Sequence, residues 1–149
     1  MSANITGAPS TDIVDIAPDM WNSPFWDAAS RHQLVAARCT ECGRFQAPAT
    51  GFCPGCRACS IEWIELSGDA VVYSFTIVRH AVIPELAHTV PYVIAVVTLP
   101  DADDVKIMTN IVNCDVDAIR IGDAVHVAWD DVPGGVTVPR FAPAVLSAS

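Results

Sequence analysis

Cys39-Thr40-Glu41-Cys42-Gly43 and Cys53-Pro54-Gly55-Cys56 are two Cys-x-x-Cys knuckles with ten residues between them. Two thiols three residues apart on a tight turn point at a common centre, and a glycine inside or just after the turn supplies the backbone freedom this requires. Two such knuckles complete a tetrahedral set of four sulfur ligands, the donor set of structural Zn²⁺. The separation is shorter than the most familiar zinc-site spacings, so it specifies the metal better than the zinc fold. Iron and a redox-active pair are the other uses of this chemistry. Four thiolates leave no position open for water or substrate, so the expected ion is a scaffold. Cys59, three residues beyond Cys56, is read as a free thiol, although it offers an alternative register with Cys53 or a substitute ligand.

Upstream of the first knuckle, Ser23-Pro24 reads as a helix start with serine as N-cap, followed by Phe25, Trp26, Ala29 and His32 at helical spacing. Leu34 to Arg38 then leads into the knuckle as a strand, and the ribbon occupies about Leu34 to Trp63. Downstream the pattern is strand-like throughout. Ile61 to Leu66 precedes a Ser67-Gly68-Asp69 turn. From Ala70 to Arg79, Val71, Tyr73, Phe75 and Ile77 alternate with Val72, Ser74, Thr76 and Val78, one face being core. Pro91 to Leu99 and Lys106 to Val112 pair across Asp101-Ala102-Asp103-Asp104, while Ala124 to Trp129 and Val136 to Phe141 flank Pro133-Gly134-Gly135. The stretch His80 to Val90 is a loop of functional length, and Asp115 to Ile119 reads as a single helical turn.

Five or so strands, with no helices to cover a parallel sheet, are most economically closed into a barrel, which removes their apolar edges. An OB-fold is favoured over another small barrel or a sandwich. The predicted class is therefore mainly β, with an N-terminal helix, a rubredoxin-like zinc ribbon and a C-terminal OB-fold barrel. Residues 1–22, with an apolar patch at Ile13, Val14 and Ile16, read as a flexible arm. Residues 23–63 form helix and ribbon, 64–143 the barrel and 144–149 a tail.

Of the 149 residues, 52% are hydrophobic and 17% charged, with a net charge of −9. So few charges imply an unusually apolar surface, best explained by a large contact with a partner protein. The acidic balance argues against a nucleic-acid groove. No apolar run approaches the roughly 20 residues that span a bilayer, and the amino terminus lacks the features of a secretory signal. A cytoplasmic location follows as an expectation, and there paired cysteines bind metal more often than they form disulfides. Cys114 reads as a buried small hydrophobe and His126 as a structural strand residue. Arg79, His80 and His88 flank the long loop, where a solvated loop is the favoured reading and contact with a phosphate or acyl group the alternative, and Asp101, Asp103 and Asp104 read as a solvated hairpin tip.

The succession Pro24-Phe25-Trp26, Arg38 to Arg44, Cys53 to Cys56, Glu62-Trp63, Ser67-Gly68, Tyr73 to Thr76, Pro91-Tyr92-Val93, Ile121-Gly122 and Pro139-Arg140-Phe141 resembles the acyl-CoA-associated zinc-ribbon and OB-fold proteins, domain of unknown function 35. The resemblance spans about Pro24 to Pro143. It implies a non-catalytic small subunit that docks on a thiolase-fold enzyme, such as a thiolase or a lipid-transfer-type aldolase, and helps shape its acyl-CoA channel. Steroid side-chain or lipid degradation is the process implied. The four zinc ligands Cys39, Cys42, Cys53 and Cys56 carry over directly. Arg79, His80 and Arg140 are the candidates for coenzyme A phosphates. Cys59 and the order Arg79-His80 depart from the pattern. Two other classes of function stand beside this one. One is a nucleic-acid-binding OB module stacking bases on Trp63, Tyr73 or Phe75; the other is a stand-alone thioesterase or acyltransferase using Cys114 or a histidine.

Overall fold

The computed structural model describes residues 5–9, 16–133 and 135–144. The expectations for Ile13 and Val14, for Gly134, and for residues 1–4 and 145–149 lie outside the described residues. Within the stretch read as an arm, Thr6 is buried: its amide donates to the Cys114 carbonyl (2.8 Å) and its carbonyl accepts from the Asn113 amide (3.0 Å).

Helix α1 runs Ser23–Ser30 with Pro24 in its first turn. Its cap residue is Asn22 rather than Ser23, because Asp19 Oδ1 accepts the amides of Trp21 and Asn22 and closes the turn that feeds the helix. His32 is not on the helix. It lies past the C-terminus with φ 58°, its ring stacked on Trp129 at 5.4 Å and its Nε2 2.9 Å from Asp131 Oδ1.

Two sheets follow. β1 (Val35–Cys39) pairs antiparallel with β2 (Phe45–Gln46) on one side and β3 (Ile61–Glu65) on the other, giving the order β2-β1-β3. β3 therefore belongs to the ribbon sheet. The remaining strands, β4 (Asp69–Val78), β5 (Tyr92–Leu99), β6 (Val105–Ile111), β7 (Ala124–Asp131) and β8 (Thr137–Pro143), close into a barrel of order β4-β5-β6-β8-β7. All its neighbours are antiparallel except β6 and β8, which meet in parallel at Ile111 and Phe141. This is the mainly β, OB-like architecture expected. The Asp115 to Ile119 stretch is not helical: Ala118 donates to the Asp115 carbonyl in an isolated turn, and Asp115 bridges to Ile5.

The simple alternation expected along β4 is interrupted. Ala70 and Val72 point inward, but a bulge between Val72 and Ser74 shifts the register. Beyond it Phe75 and Ile77 pack on the core, while Tyr73 is turned out to 56% exposure. The extra bulge residue exchanges the strand's faces. The core fills with Val72, Val93, Val97, Ile111, Val125 and Phe141, and Leu34 and Ala36 at and in β1 belong to the same cluster. Ribbon and barrel thus share one core.

Gly68, before β4, has φ +95° and is buried; a Cβ there would sit 2.7 Å from Val127 Cγ1. Gly122 has φ +96° with open space around it. In urea titrations Gly122→Ala is expected to lose about 1 kcal/mol, the backbone cost alone. Gly68→Ala should lose about 2–4 kcal/mol, because a stiff β-branched neighbour adds a steric cost.

Candidate metal centre and the cleft beside it

Each knuckle is a hydrogen-bonded turn. In the first, the Gly43 amide donates to the Cys39 carbonyl (2.9 Å) and the Cys39 amide to the Arg44 carbonyl (2.8 Å). The second repeats this with the Arg57 amide to Cys53 (2.8 Å) and the Cys53 amide to Ala58 (2.7 Å). The left-handed position falls on Gly43 in one turn and on Arg57 in the other, at φ 77° and 66°. Gly55 has a different role: its amide lies 3.3 Å from Cys53 Sγ and donates to it.

The sulfurs of Cys39, Cys42, Cys53 and Cys56 converge within 4.8 Å of one another, with Cys39–Cys56 and Cys42–Cys53 separations of 3.5 Å. A tetrahedron of metal–sulfur bonds near 2.3 Å has edges of about 3.8 Å, so the cluster fits a four-thiolate metal ion. Cys59 is exposed and outside this cluster. The backbone amides of Cys56 and Gly55 bring the Cys53 thiol down to about 6. The Cys42 amide leads the lowering of Cys39. Cys56 is pushed up to about 12: the Ala58 amide lowers it, but the adjoining sulfurs of Cys39, Cys42 and Cys53, together with burial, outweigh that. Crowded thiolates resist ionising together, and a dication removes the resistance.

The other candidates are dispersed. Arg79, just past β4, pairs with Asp117 (Nη2–Oδ1 3.0 Å), and both are more than half exposed. His80 is exposed in the following loop, which carries a 3-10 turn at Pro84–Leu86 and displays Val82 and Ile83. Arg140 lies on β8, separated from β4 around the closed barrel by β7 alone, with its side chain 12% exposed. Its guanidinium donates to Asn110 Oδ1 (2.5 Å) and reaches Asp130 Oδ2 at 3.4 Å. Cys114 is buried, its amide and sulfur both at Thr6 Oγ1, and burial pushes its thiol up. His126 Nδ1 lies 2.9 Å from Asp69 Oδ1 on the surface. The three aromatics considered for base stacking do not share a face: Trp63 is in the ribbon, Tyr73 points out of the barrel and Phe75 into it.

A feature the sequence reading missed is a cleft of about 300 Å³ where α1, the ribbon sheet and β6 meet, lined by Phe25, Trp26, Leu34, Pro48, Trp63 and Met108 among others. Gln46 also lines it. Its Oε1 accepts from the amide and hydroxyl of Thr50 (both 3.2 Å), but its buried Nε2 has no partner among the described residues. No sequence signal marks such a donor, because the contact arises where two modules meet. No helix among the described residues is long and apolar enough to cross a membrane.

A four-sulfur ribbon packed on a five-stranded closed barrel defines a metal-binding ribbon–barrel protein. Residues 26–60 match the family model of the ChsH2 rubredoxin-like zinc ribbon domain, and 63–130 that of the ChsH2 C-terminal OB-fold domain. A DUF35 domain-containing scaffold protein of Methanothermobacter thermautotrophicus is 31% identical over 103 residues, covering 68% of this chain and 75% of that protein. The chain belongs to the DUF35 family, with the ChsH2-type pair of domains. A chain of the solved Ltp2-ChsH2(DUF35) aldolase is similar at 32% identity and TM-score 0.78, over 87% of this chain and 99% of that one. A DUF35 protein of unknown function from Sulfolobus solfataricus shares the fold at 21% identity and TM-score 0.59, over 81% of this chain and 83% of that one. A probable enoyl-CoA hydratase alpha subunit of Thermomonospora curvata is 34% identical over 125 residues; the match takes 83% of this chain but spans only 38% of that protein's length.

Elemental analysis is expected to find one metal ion per chain. Cys39→Ser should be metal-free and poorly folded, whereas Cys59→Ser should keep its metal; loss of metal from Cys59→Ser would move the site to the alternative register. Lowering the pH should release the ion as protons compete for the thiolates.

Proposed function

We propose that this chain is a non-catalytic accessory subunit that docks on a thiolase-like enzyme, a lipid-transfer-type thiolase or aldolase, and helps form its acyl-CoA site. The observation behind this reading is the likeness to a chain of the Ltp2-ChsH2(DUF35) aldolase, which extends over nearly all of that chain and is joined by matches to both ChsH2 family models. In this reading the metal is Zn²⁺, closed in by four thiolates and holding the ribbon without taking part in chemistry. The assembly would be cytoplasmic, act on an acyl-CoA, and serve steroid side-chain or lipid degradation.

The cleft supports the acyl-CoA part. Its walls suit an apolar chain, and the Gln46 Nε2 suits a thioester or amide carbonyl that would otherwise leave a buried donor unpaired. Arg79 and His80 are outside the cleft and have solvent access, so the coenzyme phosphates would be met there, at the loop. Arg140 is already committed to Asn110 and Asp130, which makes it the weakest of the three assignments. Self-sufficient chemistry at Cys114 is disfavoured because the thiol is buried, raised, and bonded to a threonine rather than to a base.

Co-expression with a lipid-transfer-type thiolase or aldolase from the same genome should yield a complex that co-purifies and turns over acyl-CoA, while the chain alone does neither. Within that complex, Arg79→Ala with His80→Ala should raise KM for the acyl-CoA severalfold at nearly constant kcat, as removal of uniform binding does. A chain that purifies only as a free monomer beside that protein counts against the reading.

A further inference from the structure

β5 reads Tyr92-Val93-Ile94-Ala95-Val96-Val97-Thr98-Leu99, apolar on both faces. Val93, Ala95, Val97 and Leu99 fill the barrel, while Tyr92, Ile94, Val96 and Thr98 alternate with them on the outside, half-buried. Strands written as continuous apolar runs are ordinarily covered on both sides, and the barrel covers one. The pairing sets Ser74 and Met108 on either side of Val96, and Thr76 and Asn110 on either side of Ile94. Met108 is 75% exposed, and the bulge presents Tyr73 nearby, its ring 4.7 Å from the Lys106 ammonium. From Ala70 to the end of β4, and through β5 and β6, Lys106 is the sole charged side chain. Acid marks one end, at Asp103 and Asp104 in the β5–β6 turn, while the β4–β5 end is mixed, with Glu85 in the loop and Arg79 paired to Asp117 beside it, all exposed.

This charge distribution selects the occupant. A second copy would bring another chain of net −9, with the same acidic turn, against this face. A different protein with an apolar patch flanked by cations complements both the apolar centre and the acidic β5–β6 turn. We propose that the outer face of β4–β5–β6, centred on Val96 and Met108, is the surface by which this chain docks on its partner enzyme, and that the partner offers such a patch. The proposal depends on the accessory-subunit reading above. Interface centres lose charge and gain tyrosine and methionine, which makes Tyr73 and Met108 the anchors. A carboxylate at position 108 would be desolvated at the apolar centre of the contact, where the one neighbouring cation, Lys106, is already seated on the Tyr73 ring.

The test measures binding of the full chain to the same lipid-transfer-type thiolase or aldolase. Because Met108 is largely exposed in the free chain, Met108→Asp should fold and retain metal, yet bind at least about a hundredfold more weakly. Tyr73→Ala should weaken binding about tenfold or more. Met20→Asp, equally exposed in the turn ahead of α1, should bind as the wild type does. Oxidative footprinting of the wild type needs no substitution: Met108 should be protected in the complex and Met20 not. Folded Met108→Asp that binds like wild type, or unprotected Met108 in a formed complex, overturns this docking face. A wild-type chain that forms no complex overturns the accessory-subunit reading instead.

Discussion

Convergence of four sulfurs is the constraint on which the ribbon depends. Modules of this size cannot bury enough apolar surface to fold unaided, and the ribbon sheet has two short partners around β1. β1 works in two directions. Its end, Cys39, is fully buried in the sulfur cluster, while Leu34 and Ala36 reach back into the barrel core beside Leu66 and Val97. Metal and barrel are therefore joined through one strand, and neither end of that strand is free to move without the other.

A second junction reinforces the first. His32 leaves α1 in a left-handed conformation, stacks on Trp129 of β7 and meets Asp131, whose carboxyl is held below its usual range by that contact and by the Thr137 hydroxyl. As an exposed contact it adds little stability. Its effect is orientation, since a planar ring lying flat on an indole fixes the helix over the barrel. The cleft containing Gln46 exists because these junctions hold α1, ribbon and β6 at a fixed distance.

Much of this was legible in the sequence, for physical reasons that differ from place to place. The knuckles were, because metal coordination ties chemistry to spacing. So were the strands, because burial imposes a two-residue period. Tyr73 was not: Val71, Tyr73, Phe75 and Ile77 look like one face, and nothing in those side chains announces the bulge that divides them. Arg140 looked available to a phosphate, whereas folding places Asn110 and Asp130 within reach. Arg57, a poor residue for a left-handed turn, sits where its counterpart is Gly43, and the metal-binding geometry overrides the local preference. Gln46 and the cleft were invisible because they depend on how two modules are placed.

One consequence of the sulfur cluster reaches beyond structure. An ion that touches no substrate still contributes its binding free energy to the folding of everything tied to β1. By mass action, the share of chains that are folded then follows the free concentration of that ion. Metal supply thereby becomes a control on abundance: a starved cell would make the same number of chains but keep fewer of them from proteolysis, and any partner that needs them would run short without its own gene or its own active site having changed.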